Sequence, residues 1–272
     1  MKIGTAIRNM GPAATAELIR HAAESAEAAG LAHIWTVDHI AIPPDDAEGS
    51  EGIWLDPLAV LSYFAAATRT IELGVSVLVL PYRAALPTAK WIASIQALSG
   101  GRLHLGIGPG WMEPEFRALN VPKNQRGKIT DETIDFILEC FHAEDDVVEL
   151  NGQPFLFRPR PPCPPIYVGG MTDAALERTV RVGDGWLPIG LDADKLKPRY
   201  DKLAEMADAA GKPCPAMVLI GSLPDSQDEA VETLGACKTI GAAHYIQASR
   251  YSTATEFDDM VERLSDLNRQ LN

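Results

Sequence analysis

No apolar stretch in this chain approaches the roughly 18 residues that a membrane-spanning helix requires, so no membrane role is expected. Cysteine is scarce: Cys140, Cys163, Cys214 and Cys237 are far apart and form no C-x-x-C pair. That spacing speaks against a metal or disulfide role and for reduced, mostly packed thiols. Positive charge is short as well. Against 37 Asp and Glu stand 24 Lys and Arg, for a formal net charge of −13. A nucleic-acid partner would need a basic face that releases counterions, so none is expected. The six histidines form no H-x-H or H-E-x-x-H pattern, which argues against a metal-dependent hydrolase. Met1-Lys2-Ile3-Gly4 runs directly into strand-like sequence without the regions of a signal peptide, and the expected location is the cytoplasm.

What is present is a rhythm. Short apolar runs alternate with longer amphipathic segments along residues 1–272, and no composition break separates two cores. Strand-like runs occupy 2–7, 32–37, 71–80, 102–107, 165–168, 184–188, 215–221 and 243–248. Helical spacing covers about 13–29, 57–68, 87–98, 114–119, 125–142, 173–182, 193–210, 226–236 and 255–269. Asp56-Pro57 reads as an N-cap with proline at the first helical position. Repeated strand–helix units imply a parallel sheet with right-handed crossovers. No G-x-G-x-x-G follows the first strand, where an open dinucleotide-binding sheet would carry it. The strand count and a length near the typical ~250 residues point to an α/β fold, a single (β/α)₈ TIM barrel. One segment breaks the rhythm. Residues 146–157 alternate about Asn151-Gly152, a hairpin signal, and follow a helix, so the hairpin should emerge at the face opposite the site, as packing or a subunit contact.

In such a barrel the segments after each strand gather at one face, where active sites lie. Asp38-His39 closes the second strand: a histidine exchanges protons near neutral pH, and an adjacent carboxylate can orient it. After the fourth strand come Gly106 to Phe116, where Gly108 allows close approach of a ligand, Trp111 offers an aromatic wall and Glu115 a second acid. Gly169-Gly170-Met171 opens a helix, and exposed N–H groups there suit a phosphate. The strand-eight exit, Ser249–Tyr251, also belongs to this rim.

Five stretches together resemble the bacterial luciferase-like oxidoreductases, most closely the short coenzyme F420-dependent branch. They are IWTVDHIAIP (34–43), LGVSVLVLPYR (73–83), LSGGRLHLGIGPGWMEPEF (98–116), PPIYVGG (164–170) and GDGWLPIG (183–190). The resemblance implies a luciferase-like (β/α)₈ barrel with a deazaflavin or flavin ring over its mouth and the phosphate on the Gly169-Gly170-Met171 turn. It implies a non-prolyl cis peptide at Ser76–Val77 behind the ring, with Gly108 and Trp111 bordering the cofactor. It places His39 and Asp38 at a position of proton transfer, His39 as donor or acceptor and Asp38 orienting it. It also implies a homodimer. Two departures stand out. Ala84-Ala85 follows Pro81-Tyr82-Arg83 where the family often has a polar residue and proline, and Arg8-Asn9-Met10 carries no acid at the strand-one exit.

The expected function is F420-dependent hydride transfer to or from a small organic substrate. Lys123, Arg126 and Lys128, with Arg83 nearby, are expected to meet the anionic F420 tail. An FMN-dependent monooxygenase and a non-catalytic cofactor-binding barrel are the alternatives.

Overall fold

The computed structural model describes residues 1–248 and 250–271; Ser249 of the strand-eight exit and Asn272 lie outside the described residues. Eight parallel strands close into a barrel. They are β1 (Lys2–Ala6), β2 (His33–Thr36), β3 (Glu72–Val79), β4 (Leu103–Gly108), β7 (Ile166–Gly169), β8 (Gly185–Leu187), β9 (Ala216–Gly221) and β10 (Ala242–Gln247). Around the barrel they run β1-β10-β9-β8-β7-β4-β3-β2. β5 (Val147–Leu150) and β6 (Gln153–Leu156) form the hairpin. The helices are α1 (Ala16–Ala28), α2 (Pro57–Ala67), α3 (Ala85–Leu98), α4 (Glu113–Ala118), α5 (Arg126–His142), α6 (Asp173–Val182), α7 (Ala193–Ala209), α8 (Gln227–Thr239) and α9 (Ala254–Leu271). No helix among the described residues is long and apolar enough to cross a membrane.

Side-chain caps set the helix starts. Thr15, Asp56, Thr172, Asp192 and Ser226 each accept a backbone N–H of the first turn. Outward-facing strand residues such as Ile3, Ile34, Leu73 and Leu105 pack beneath the helices in the main core. Inward-facing Trp35, Tyr167, Leu187, Val218, Ile220 and Ile246 fill the barrel's middle layer. The Ser76–Val77 peptide is cis, as the resemblance implied, and the β3–β4 register shifts between Val75 and Leu78 at the same point. The hairpin folds back on the helices: Val148 and Phe157 are buried, Phe157 meets Phe141 edge-on, and the Lys90 ammonium sits 4.3 Å from the Phe157 ring centroid.

Barrel closure also gathers three histidines at the floor, below Trp35. His33 and His244 ring centroids are 5.3 Å apart, and His104 stacks on Tyr167 at 5.5 Å. The Trp35 indole N–H donates to His33 Nδ1 at 2.8 Å. Burial lowers the pKa of all three imidazoles, and the neighbouring rings and Lys2 lower those of His33 and His244 further. Opposite them Glu72 pulls His104 and His244 upward without reversing the shift. His244 falls from 6.5 to about 4. The unfolded chain therefore binds more protons than the folded one below the ordinary histidine pKa, so this stabilisation is present above that value and is lost as pH falls toward the lowered ones. We expect the urea midpoint to drop between pH 7.5 and pH 5, by about 1–2 kcal/mol of stability from His244 alone. His244→Gln should flatten that drop; an unchanged pH dependence in the variant would remove the floor from its cause.

Candidate active site

β2 ends at Thr36, Asp38-His39 follow just beyond it, and their two side chains part. Asp38 does not orient His39. Its carboxylate is fully buried and accepts the Val79 N–H at 2.9 Å and the Arg83 guanidinium at 2.6 and 2.9 Å. Burial pushes the Asp38 carboxyl up; Arg83 and the Val79 amide oppose that, and the pair holds the guanidinium firmly protonated. Arg83 also bonds Asp56, the N-cap of α2, at 2.7 Å. Arg83 is thus a tie among the ends of β2 and β3 and the start of α2, with only 13% of its side chain exposed. Arg83, expected near the cofactor tail, has its terminal nitrogens on Asp38 and Asp56 and does not line the cavity described below.

His39 is oriented by Glu115 instead. His39 Nδ1 lies 2.9 Å from Glu115 Oε2, and Oε1 accepts the amides of Ile40 at 2.5 Å and Ala41 at 3.0 Å. The Tyr82 hydroxyl donates to Oε2 at 2.7 Å. Burial alone would raise the Glu115 pKa, but these four donors outweigh it and hold it at about 2. Burial and the Glu115 acceptor push the Tyr82 phenol well upward, so it remains a donor. An ionised carboxylate only accepts, so His39 Nδ1 must donate. The neutral ring then presents the Nε2 lone pair as a base, and the protonated ring presents an acid.

Two tryptophans flank this imidazole. The Trp54 ring centroid lies 4.7 Å away and that of Trp111 6.1 Å away, both edge-on. Trp54 belongs to the long loop between β2 and α2, which is stitched to the β1 exit. Met10 pairs with Trp54 in an antiparallel bridge, Leu55 N–H donates to Asn9 O, and Asn9 Nδ2 donates to Val37 O and Leu55 O. Trp54 was absent from the sequence reading; a tryptophan just before the α2 cap was its only signal.

A cavity of about 940 Å³ opens beside this group at the C-terminal ends of the strands. Ser76, Val77, Gly108, Trp111, Arg126, Gly169 and Gly170 line it together. His39, Asp38, Glu115 and Arg83 do not; His39 borders it through Trp111. Thr172 lines it rather than Met171, which stands at the rim with its carbonyl accepting from Arg199. The cavity floor is bare of side chains by necessity. A Cβ on Gly108 or Gly169 would come within 2.6 or 2.7 Å of Val77, and Gly170 holds φ +120. The Ser76 hydroxyl in this floor is buried without a partner among the described residues. Opposite stand the start of α6, Arg126 and Arg178, the last missed in the sequence because it sits mid-helix among ordinary charges. Arg178 is bound to Asp131 at 2.8 and 2.9 Å. Lys123 pairs with Glu113, and Lys128, 72% exposed, with Glu132. Of the basic trio only Arg126 meets no carboxylate among the described residues; it donates to Lys123 O. The arrangement fits a flat heterocycle on the glycine floor and one phosphate between Arg126 and the α6 N-terminus.

A family model described as luciferase-like monooxygenase matches residues 1–270. An uncharacterised protein of Mycobacterium bovis is 30% identical over 230 residues, covering 78% of this chain and 79% of that protein. An F420-dependent glucose-6-phosphate dehydrogenase of Amycolatopsis mediterranei is 28% identical over 215 residues, covering 71% of this chain and 60% of that enzyme. The structure also resembles a type II Baeyer–Villiger monooxygenase from Pseudomonas putida in complex with FMN, at a TM-score of 0.80 and 13% identity, covering 100% and 97% of the two chains.

Proposed function

The chain belongs to the luciferase-like monooxygenase family, and from that premise we propose that it is an F420-dependent oxidoreductase transferring hydride to or from a small organic substrate. The observation that carries this reading is the His39–Glu115 couple at the cavity's edge. Hydride transfer at a hydroxyl or carbonyl carbon requires one proton to move at the adjoining oxygen, and His39 Nε2 is the group free to move it. Glu115 fixes the tautomer and stabilises the imidazolium when that proton is held. Trp54 and Trp111 restrict the ring to one orientation and shield it from water. A deazaflavin held over the glycine floor would supply the hydride donor or acceptor. Gly108, Gly169 and Gly170 would admit its ring, Ser76 and Val77 belong to the same lining, and Arg126 and Thr172 would receive the phosphate. A barrel that only stored cofactor would have no use for the buried His39–Glu115 couple.

A second reading is favoured by one feature. Arg126 is the single lining cation without a carboxylate partner among the described residues, which suits one phosphate better than a polyanionic tail and so points to FMN and monooxygenation. Titrating the protein with F420 and with FMN, followed by cofactor absorbance and fluorescence, separates the two. We expect F420 to bind at least about tenfold more tightly, or ~1.4 kcal/mol. Tighter FMN binding would replace the first reading by the second. Arg126→Ala should weaken whichever cofactor binds.

A further inference from the structure

We propose that Arg8 and Trp54 recognise a carboxylate on the substrate, beside His39. The inference rests on the reading that this mouth is the reaction site, and it names the substrate class. Strand alternation places Arg8 there. Ile3 and Ile7 face outward into the core beneath the helices, whereas Ala6 packs against the inward layer of Trp35 and Ile246. Arg8, two residues on from Ala6, continues the inward face above that layer at the barrel mouth.

Its guanidinium is held but not neutralised. The Arg8 amide donates to the Tyr251 hydroxyl at 2.9 Å, and Nη2 reaches the Gly49 carbonyl at 3.3 Å. Among the described residues no carboxylate pairs with it, in a chain of net charge −13 where Arg83, Arg178 and Arg199 each hold an aspartate. Among the described residues Arg8 Nε is buried without an acceptor, and so is Trp54 Nε1. Both atoms can only donate, and a buried donor left without an acceptor is unfavourable. The two belong to segments joined by the Met10–Trp54 bridge, and the Trp54 ring lies 4.7 Å from His39. Trp54 stands beside the proton-transfer group and Arg8 on the segment bridged to it, so two donors without acceptors among the described residues, one of them cationic, suit an anionic oxygen pair. This sector is remote from the phosphate cradle, since β4 and β3 separate β7 from β2 in the barrel order. Ile40 and Ile53, the chain neighbours of His39 and Trp54, and Trp111, whose ring is 6.1 Å from His39, are exposed, which suits a substrate with an apolar body.

Calorimetric titration with phenylacetate, phenylacetamide and phenyl phosphate tests this, on protein alone and on protein loaded with F420. Phenylacetate is expected to bind at least about tenfold more tightly than the amide, the worth of one charge-assisted hydrogen bond. Arg8→Gln should reduce that preference to within about twofold, Arg8→Lys should restore part of it, and Trp54→Phe should weaken acid and amide alike. Thermal unfolding by circular dichroism identifies any variant that fails to fold, and the wild-type comparison stands without it. Equal affinity for acid and amide in wild type, no binding of either, or a preference that survives Arg8→Gln overturns the proposal. A phenyl phosphate affinity above that of phenylacetate overturns the carboxylate assignment. An Arg8-dependent preference in protein that binds neither F420 nor FMN would sustain this site while rejecting the proposed function.

Discussion

Exchange of His39 for alanine is expected to lower turnover by about 10²–10⁴-fold while F420 affinity stays within about twofold. The split follows from position. His39 borders the cavity without lining its glycine floor, so its loss removes the proton-transfer group and leaves the ring's contacts in place. Glu115→Gln should lower turnover as well, because a neutral amide offers Nδ1 no ionised acceptor and does not stabilise the imidazolium. With the Glu115 pKa at about 2, its carboxylate contribution is complete above its ordinary value of 4.5 and disappears only as pH falls through about 2. Steady-state kinetics on a turned-over substrate, with cofactor binding measured in parallel, checks both variants. Full turnover in His39→Ala would remove the proposed acid–base role.

Loss of Arg83 is expected to damage the fold more than any cofactor contact. Arg83→Met leaves the fully buried Asp38 carboxylate with only the Val79 amide and frees the Asp56 cap from its tie to β3. Removing one partner of a buried pair costs about 3–5 kcal/mol, which urea unfolding would register as a large fall in midpoint. Asp38→Asn combined with Arg83→Met should recover part of the loss, since no uncompensated charge then remains in the interior. The opposite result, an unchanged midpoint with weakened F420 binding, would return Arg83 to the cofactor's tail.

Adjacent sequence misleads at the end of a strand. Asp38 and His39 look like a working pair, yet they lie beyond the last residue of β2 and their side chains take different partners. Asp38 reaches Arg83, 45 positions away, and His39 reaches Glu115, 76 positions away. The floor histidines teach the same lesson: His33, His104 and His244 each read as a lone strand residue, and only closure of β1 against both β2 and β10 brings them together. Arg8 reads in the sequence as a residue of the strand-one exit where an acid is missing; that its guanidinium meets the Gly49 carbonyl, and no carboxylate among the described residues, required the loop of residues 40–56 to be seen folded.

The elements themselves were determined by local physics. Apolar runs buried on both faces read as parallel strands, and β3 at Glu72–Val79 falls inside the expected 71–80. Asp56-Pro57 starts α2 where capping chemistry places it, and Asn151-Gly152, both at positive φ, turns the hairpin. The (β/α)₈ count and the face that carries the site follow from that alternation. Tertiary structure alone decided the pairings within the site: which carboxylate holds the imidazole, which arginine is tied to carboxylates and which meets none among the described residues. Those depend on side chains meeting across the barrel mouth, and no spacing along the chain encodes that distance.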